Sequence, residues 1–458
     1  RDSESLVVQV GTRRQSGGPR LMSRAVRITP SAARLVTSLR SIGYEPATAV
    51  ADLVDNSVSA GATEVSVRID RDHGPWRIVV ADNGSGIRER DLDEAMRFGT
   101  RRNYGSGELG RFGLGMKTAS TSLGRRVTVV TRVAPSRRRI RSRVLDLDHV
   151  ERTDRWEVLD GSGTTAEATA RSGWLNERPG TVVVIEELDR TMATVAEPAG
   201  SGGTRRMKSI ARKVSAHLGA VFHRFLEAGE LVIGVNGQPL SPWNPFAPQQ
   251  PATEARPVFR YRLNGSGQAG EVMCRPYILP ARHQFRGLDG GSGTDAFDTA
   301  GGPRHWNRQQ GIYVYRADRM IQSGGWCGLR AVDEHTKLAR VALDFPTDLD
   351  PIFALNVSKM RVVLPPDLRA QLERPIGELC RGAERRYRSG AASGDGGSAA
   401  PGARGLGWAA RVFRVAAHSS DQIDAYEEIL DRVAETDAAV ATEFGWADRQ
   451  RSADVEPL

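Results

Sequence analysis

The chain has 458 residues, 39% hydrophobic and 26% charged, the balance of a globular protein with enough length for two or three domains. No run of about 18 apolar residues occurs, so no membrane span is expected. Cys274, Cys327 and Cys380 are few and far apart, which argues against a disulfide framework and for a reducing cytoplasm, and no CxxC pair or HExxH supports a zinc site.

Residues 1–24 are polar and rich in Arg, Gly and Ser, the composition of a disordered arm. A helix is expected over 31–42, and a second begins at Pro46, whose missing N–H costs nothing in a first turn. Along the second, Val50, Leu53, Val54 and Val58 make an apolar face, Asp52 and Asn56 share another, and Gly61 supplies the stop. Strands follow at 65–69 and 76–80 around His73-Gly74, then a short helix at 92–98. Residues 99–110 are polar and glycine-broken, and read as a mobile lid. A helix at 116–123 and strands at 127–133 and 182–185 complete a first unit, 25–198, expected as a sheet with helices on one face.

Residues 198–204 have linker composition. A long helix is expected at 207–227 and a strand at 231–235 closed by Asn236-Gly237, a hairpin signal. A Pro-rich crossing fills 242–257, strands at 258–263 and 272–279 flank Asn264-Gly265, and 286–302 reads as a loop. Strands at 311–316 and 338–345 and a helix at 366–387 make a second unit, 205–388. A Gly/Ala/Ser linker at 389–405 precedes a helical tail at 406–458, where Ile423, Tyr426, Leu430 and Val433 form a short amphipathic seam. The fold class is α+β.

Three short motifs carry chemistry. Asp52 and Asn56, four apart on one helix, point the same way: the carboxylate can orient or deprotonate a water, and the amide oxygen can hold a divalent ion. Asp82-Asn-Gly84-Ser-Gly86 ends an apolar strand. An acceptor-only carboxylate there suits an exocyclic amine such as that of adenine, and the glycines admit a flat ligand. Gly110-x-x-Gly113-x-Gly115 precedes a helix and offers backbone N–H groups to phosphates. Alone, the first pair also describes a solvated helix face, the second an ordinary turn, and the third a common glycine run. A P-loop does not fit, because Met116 stands where its lysine belongs and no strand precedes the glycines.

Together and in this order, the motifs resemble those of the GHKL ATPase superfamily, which includes DNA gyrase B, the ninety-kilodalton heat-shock chaperone, histidine kinases and MutL. Phe112 to Ser120, closing on Leu123-Gly124, looks most like the MORC branch, and the resemblance covers about 29–185. It implies a GHKL (Bergerat) ATP-binding α/β sandwich with ATP and Mg²⁺ as cofactors. Asp52 would be the general base, Asn56 the magnesium ligand and Asp82 the adenine contact beside Gly84, Gly86 and Ile87. Gly110, Gly113, Leu114, Gly115, Met116 and Lys117 would surround the phosphates, and Thr181 would donate its hydroxyl near Asp82. The family's base is normally glutamate, and the shorter Asp52 makes slow turnover the expectation. Ser59 stands where many relatives carry aspartate.

The second unit resembles the βαβ transducer domain of MutL, gyrase B and MORC relatives. Leu355-Asn-Val-Ser-Lys359 looks like the loop whose lysine reaches the γ-phosphate, and only Lys117, Lys208, Lys213, Lys337 and Lys359 of 64 basic residues are lysine. Asp333-Glu-His335, without a second His nearby, reads as a structural turn. The implied function is an ATPase whose lid closes on ATP, whose two copies then dimerise, and which holds DNA without sequence readout. The net charge of +9 agrees with a polyanion partner, in the cytoplasm or at the nucleoid. Rival implications are a nucleotide sensor with little hydrolysis and an ATP-dependent chaperone. A histidine kinase would need a phosphoacceptor His before the pocket, and residues 1–44 contain none.

Overall fold

The computed structural model of the protein describes residues 30–41, 43–71, 74–98, 115–133, 139–176, 178–265, 268–287, 292–353, 362–394 and 432. The arm at 1–24, the lid at 99–110, Gly110, Gly113, Leu114, the loop at 355–359 with Lys359, and the tail at 406–458 apart from 432 lie outside the described residues.

The first unit runs α1 (Ala32–Arg40), α2 (Pro46–Ser59), β1 (Glu64–Asp70), β2 (Arg77–Asp82), α3 (Glu89–Met96), α4 (Gly115–Leu123), β3 (Arg126–Arg132), β4 (Arg141–Asp146), α5 (Leu147–Thr153), β5 (Leu159–Asp160), α6 (Thr165–Ser172) and β6 (Gly180–Glu186). α7 (Ser201–Val221), α8 (His223–Glu227), β7 (Val232–Val235) and β8 (Gln238–Pro239) follow. Their strands form one sheet in the order β5-β4-β3-β6-β2-β1-β7-β8. It is antiparallel except where β7 lies parallel to β1.

Three expectations change here. Residues 198–204 are not an open linker, because α7 starts at Ser201 and its glycine lets the first turn press on the chain: a β-carbon at Gly203 would overlap the Pro198 carbonyl. The first sheet does not end near 198, since β7 and β8 extend it to Pro239. Ile233 and Val235 are buried in the same core as Val65 and Val67, and Asn236 and Gly237 both adopt positive φ in the turn. Helices also lie on both faces rather than one. Along β2, Ile78 and Val80 face the core built with α1, α2, α4 and α7, while Val79 and Ala81 pack with Ala166 and Ala170 of α6. β6 alternates likewise, so the central strands read as continuous apolar runs.

The second unit contains β9 (Glu254–Ala255), β10 (Phe259–Gly265), β11 (Gln268–Ile278), α9 (Gly293–Gly301), α10 (His305–Arg308), β12 (Gly311–Arg316), β13 (Arg319–Gln322), β14 (Ala339–Phe345) and α11 (Pro366–Gly394). Its sheet has the order β10-β11-β14-β12-β13, with β9 on β11. The Asn264-Gly265 turn is corrected: both residues sit in β10, opposite Ala269 and Gln268. Part of the 286–302 loop is helical, because Ser292 caps α9 by accepting the Asp295 N–H. β12 and β14 are parallel, but β13 and a 3-10 turn at Glu334–Thr336 join them instead of a helix, so the expected βαβ wind is absent at this pair. α11 continues through residues 389–394, where linker was expected.

The two sheets are tied through α8. His223 and the Tyr315 hydroxyl share a buried hydrogen bond of 2.9 Å, and the Arg224 guanidinium lies 3.5 Å over the Tyr315 ring while donating to Asp318 at 3.0 Å.

Candidate functional site

α2 carries the first motif into the core. Its small residues Ala47, Ala49 and Ala51 are buried, which lets it sit close to α4 and α7. Asp52 is 2% exposed, whereas Asn56, one turn later, is exposed. The Asn56 side-chain N–H donates to the Asp52 carbonyl at 2.9 Å. That bond uses the nitrogen end of the amide, so the oxygen end is the one suited to a cation.

The second motif meets the first through one bond. The Ser57 hydroxyl donates to Asp82 Oδ2 at 3.1 Å, which brings the last turn of α2 against the end of β2. Asp82 Oδ1 accepts the Gly84 N–H at 2.9 Å and the Thr181 N–H at 3.2 Å. Burial pushes the Asp82 carboxyl above the ordinary carboxylate range, and the donors from Gly84, Ser57 and Thr181 oppose it. The Trp174 indole N–H covers the Asp82 carbonyl at 2.7 Å.

Glycine is required at two points of this end. Gly86 has φ +68°, and a β-carbon there would overlap the Arg132 carbonyl. Gly180 has φ +145°, and a β-carbon there would overlap the Asp82 carbonyl. Thr131 on β3 closes the wall: its hydroxyl accepts the Ile87 N–H at 2.8 Å and donates to the Gly180 carbonyl at 3.0 Å. Thr181 reaches Asp82 by its backbone N–H, while its hydroxyl lies 3.3 Å from that of Thr131.

The described end of the third motif also arrives here. A β-carbon at Gly115 would lie 4.0 Å from Asp52 Oδ2, so the N-terminus of α4 faces that carboxylate. Met116 packs partly buried against the same core. Lys117 is buried and donates to the Ala95 carbonyl at 2.9 Å. Burial lowers its ammonium to about 8, with Glu94 acting the other way.

Several residues of this site had no signal in the sequence reading. Tyr44 lies beside Asp52 and Thr118, its phenol raised first by burial and then by the Asp52 charge. Asp55, 1% exposed, accepts from Arg319 Nε at 3.0 Å, and Arg319 Nη2 stands 3.7 Å from Asp52 Oδ1. Arg319 belongs to β13 of the second sheet and follows Asp55 by 264 positions, so no local pattern could pair them. Ser57 was readable as the neighbour of Asn56. Among the described residues, no cluster of three or more His, Cys, Asp or Glu could hold a metal ion by itself. Asn56 as a single protein ligand beside a triphosphate fits the habit of Mg²⁺, which takes one or two protein oxygens plus phosphates and waters. A separate groove of about 260 Å³ lies on the opposite sheet face, among Val79, Ala81, Ala170 and Trp174, and carries none of the motif residues.

Residues 44–173 match the family model described as histidine kinase-, DNA gyrase B-, and HSP90-like ATPase. They form a GHKL ATPase domain. The matched stretch of this GHKL domain holds Asp52, Asn56, Asp82 and Gly115 and stops before Thr181 and Arg319. Similar curated proteins include the mismatch repair endonuclease PMS2 of Gallus gallus, 50% identical over 46 residues, which is 10% of this chain and 5% of that protein. The DNA mismatch repair protein MutL of Shewanella loihica is 37% identical over 71 residues, 16% of this chain and 11% of its own. MutL of Phenylobacterium zucineum is 39% identical over 69 residues, covering 15% and 11%. The likeness thus spans between 5% and 11% of the relatives' own lengths. Among the described residues, no helix is long and apolar enough to cross a membrane.

Proposed function

We propose that the chain binds ATP with Mg²⁺ and hydrolyses it slowly. The reading rests on one observation above all: the Ser57–Asp82 hydrogen bond, which joins two motifs of the GHKL domain at a single site. In this reading Asp82 accepts from the adenine amine, Gly84, Gly86 and Ile87 line the base, and Thr181 holds the carboxylate by its N–H. Asn56 offers its amide oxygen to Mg²⁺, which would neutralise the phosphates. Asp52 orients and deprotonates the attacking water. The segment from Gly110 to Lys117, with Gly113, Leu114 and Met116, cradles the phosphates, and Lys359 completes the γ-phosphate end from the second unit.

A MORC-like cycle follows, in which ATP closes the lid, pairs two copies of the chain, and sets a non-sequence-specific grip on DNA. The net charge of +9 and the similarity to proteins named for DNA mismatch repair support the DNA partner. A second reading, a sensor that binds ATP and scarcely turns it over, is favoured by the aspartate at 52, which is one methylene short of the family's glutamate.

Single-turnover phosphate release by the wild type and by Asp52→Ala separates the two: a faster wild type supports hydrolysis, and equal rates support the sensor. Light scattering with and without a non-hydrolysable ATP analogue checks the dimer, expected only with the analogue. DNA affinity that does not fall between about 50 and 200 mM salt would count against a phosphate-backbone grip.

A further inference from the structure

The second sheet places one side chain inside the GHKL domain. β12 and β13 are joined by Ala317 and Asp318, which hold φ of +46° and +60°. Two successive left-handed residues make the tight hairpin turn usually given to Asn-Gly, and an alanine adopts that conformation only against its steric preference. The turn is pinned from the first unit, because Arg224 of α8 donates to Asp318. The next residue is Arg319, 2% exposed, whose Nη1 also donates to the Met320 carbonyl at 3.1 Å.

Its guanidinium divides between two carboxylates. The bond to Asp55 is a hydrogen bond at 3.0 Å, and the approach to Asp52, at 3.7 Å, is electrostatic. Asp52 and Asp55 lie three apart on α2 and are both buried, so their charges repel in a dry setting unless a cation stands between them. Arginine meets that need better than lysine: its charge is permanent, and its planar fork spans two acceptors at once. Nearby, His217 is depressed to about 4, first by burial and next by Arg319 and Arg304, so it adds no positive charge beside the two carboxylates near neutral pH. Tyr44 completes the surround on the Asp52 side.

We infer that Arg319 is a positioning residue for hydrolysis: anchored on Asp55, it holds the Asp52 carboxylate aimed, so that the GHKL domain turns over ATP only while the β12–β13 hairpin is docked on α2. The inference rests on the hydrolysis proposed above. It assigns the second unit a contribution to the water-activating end that is independent of any group reaching the γ-phosphate. Binding of nucleotide does not require Arg319 in this account, because the contacts at the Asp82 end all come from the first unit.

The test compares the wild type with Arg319→Met, Arg319→Lys and the pair Arg319→Met/Asp55→Asn, the last removing the charge that the single change strands. Thermal melting confirms folding of each, and a fluorescent non-hydrolysable ATP analogue measures binding. Analogue affinity should stay within about threefold, while kcat for ATP falls about 10- to 100-fold, the scale of a base displaced by about 1 Å, with KM little changed. Arg319→Lys should recover part of the rate. In an Asp52→Ala background, adding Arg319→Met should cost nothing more, since the arginine acts through the missing carboxylate. Wild-type kcat in a folded Arg319→Met or paired variant overturns the inference, as does an equal further loss in the Asp52→Ala background. A wild type that outpaces Asp52→Ala keeps the hydrolysis reading intact in either event, and a wild type no faster than Asp52→Ala overturns both.

Discussion

The two ends of the site are built in opposite ways. At the Asp82 end, every contact comes from the first sheet and its neighbours: Ser57 from α2, Gly84 from the same turn, and Thr181 from the strand paired directly with β2. At the Asp52 end, α2 supplies two carboxylates and a residue of the other sheet supplies the cation. A pocket wall made by adjacent strands is as rigid as the sheet. A charge pair made across two units lasts only as long as their docking. On the proposed function, the difference makes base recognition a property of one domain and water activation a task shared by two.

The sharpest way to break this contrast is Asp82→Asn. The amide would keep its oxygen on the Gly84 and Thr181 N–H groups and turn its NH₂ to the Ser57 side, a donor in place of the acceptor offered to adenine. ATP affinity, measured by calorimetry, should drop about 100-fold or more with melting largely retained. Affinity within a few-fold of wild type would move base recognition elsewhere.

Gly180→Ala tests the rigidity of the same wall. The added methyl collides with the Asp82 carbonyl at a backbone angle alanine avoids, so the fold should lose about 2–4 kcal/mol, read by denaturant unfolding. A loss under about 0.5 kcal/mol would mean that the strands can part there without cost.

Ser57→Ala removes a single donor. About 1 kcal/mol is expected, or roughly fivefold in ATP affinity, with kcat unchanged, because the bond serves the base and not the water. A kcat effect exceeding the affinity effect would erase the division between the ends.

The smallest effect concerns pH. Lys117 holds its proton up to about 8, below an unfolded value of 10.5, so folding favours the neutral amine. The unfolded chain therefore binds more protons between those values, and stability should rise with pH from about 8 to 10.5, an increment absent in Lys117→Met. If the amine turns from the Ala95 carbonyl to phosphate, ATP affinity should weaken several-fold as pH climbs through about 8. An affinity that is flat across that range would remove Lys117 from the phosphate site.

The same contrast explains what the sequence revealed. Helix α2 was legible from Pro46, the spacing of its valines and Gly61, and β2 and β6 from their apolar runs; with them came Asp52, Asn56 and Asp82. Those signals are local, and local sequence sets local backbone. The linker reading at 198–204 failed because glycines that allow disorder also allow a tightly packed first helical turn, as Gly203 does against Pro198. The joining of β7 to β1 and the reach of Arg319 to Asp55 were hidden for another reason. Both are long-range pairings whose partners show no complementary pattern until the chain is folded. The Asp82 end was therefore readable almost residue by residue, and the Asp52 end only by half.

Titration of the wild-type chain with ATP and with GTP at matched Mg²⁺ tests the arrangement most directly. Guanine presents a carbonyl where adenine presents its amine, so Asp82 would face an acceptor. The account predicts saturable binding of ATP and at least about 100-fold weaker binding of GTP. Equal affinity for the two nucleotides would contradict it.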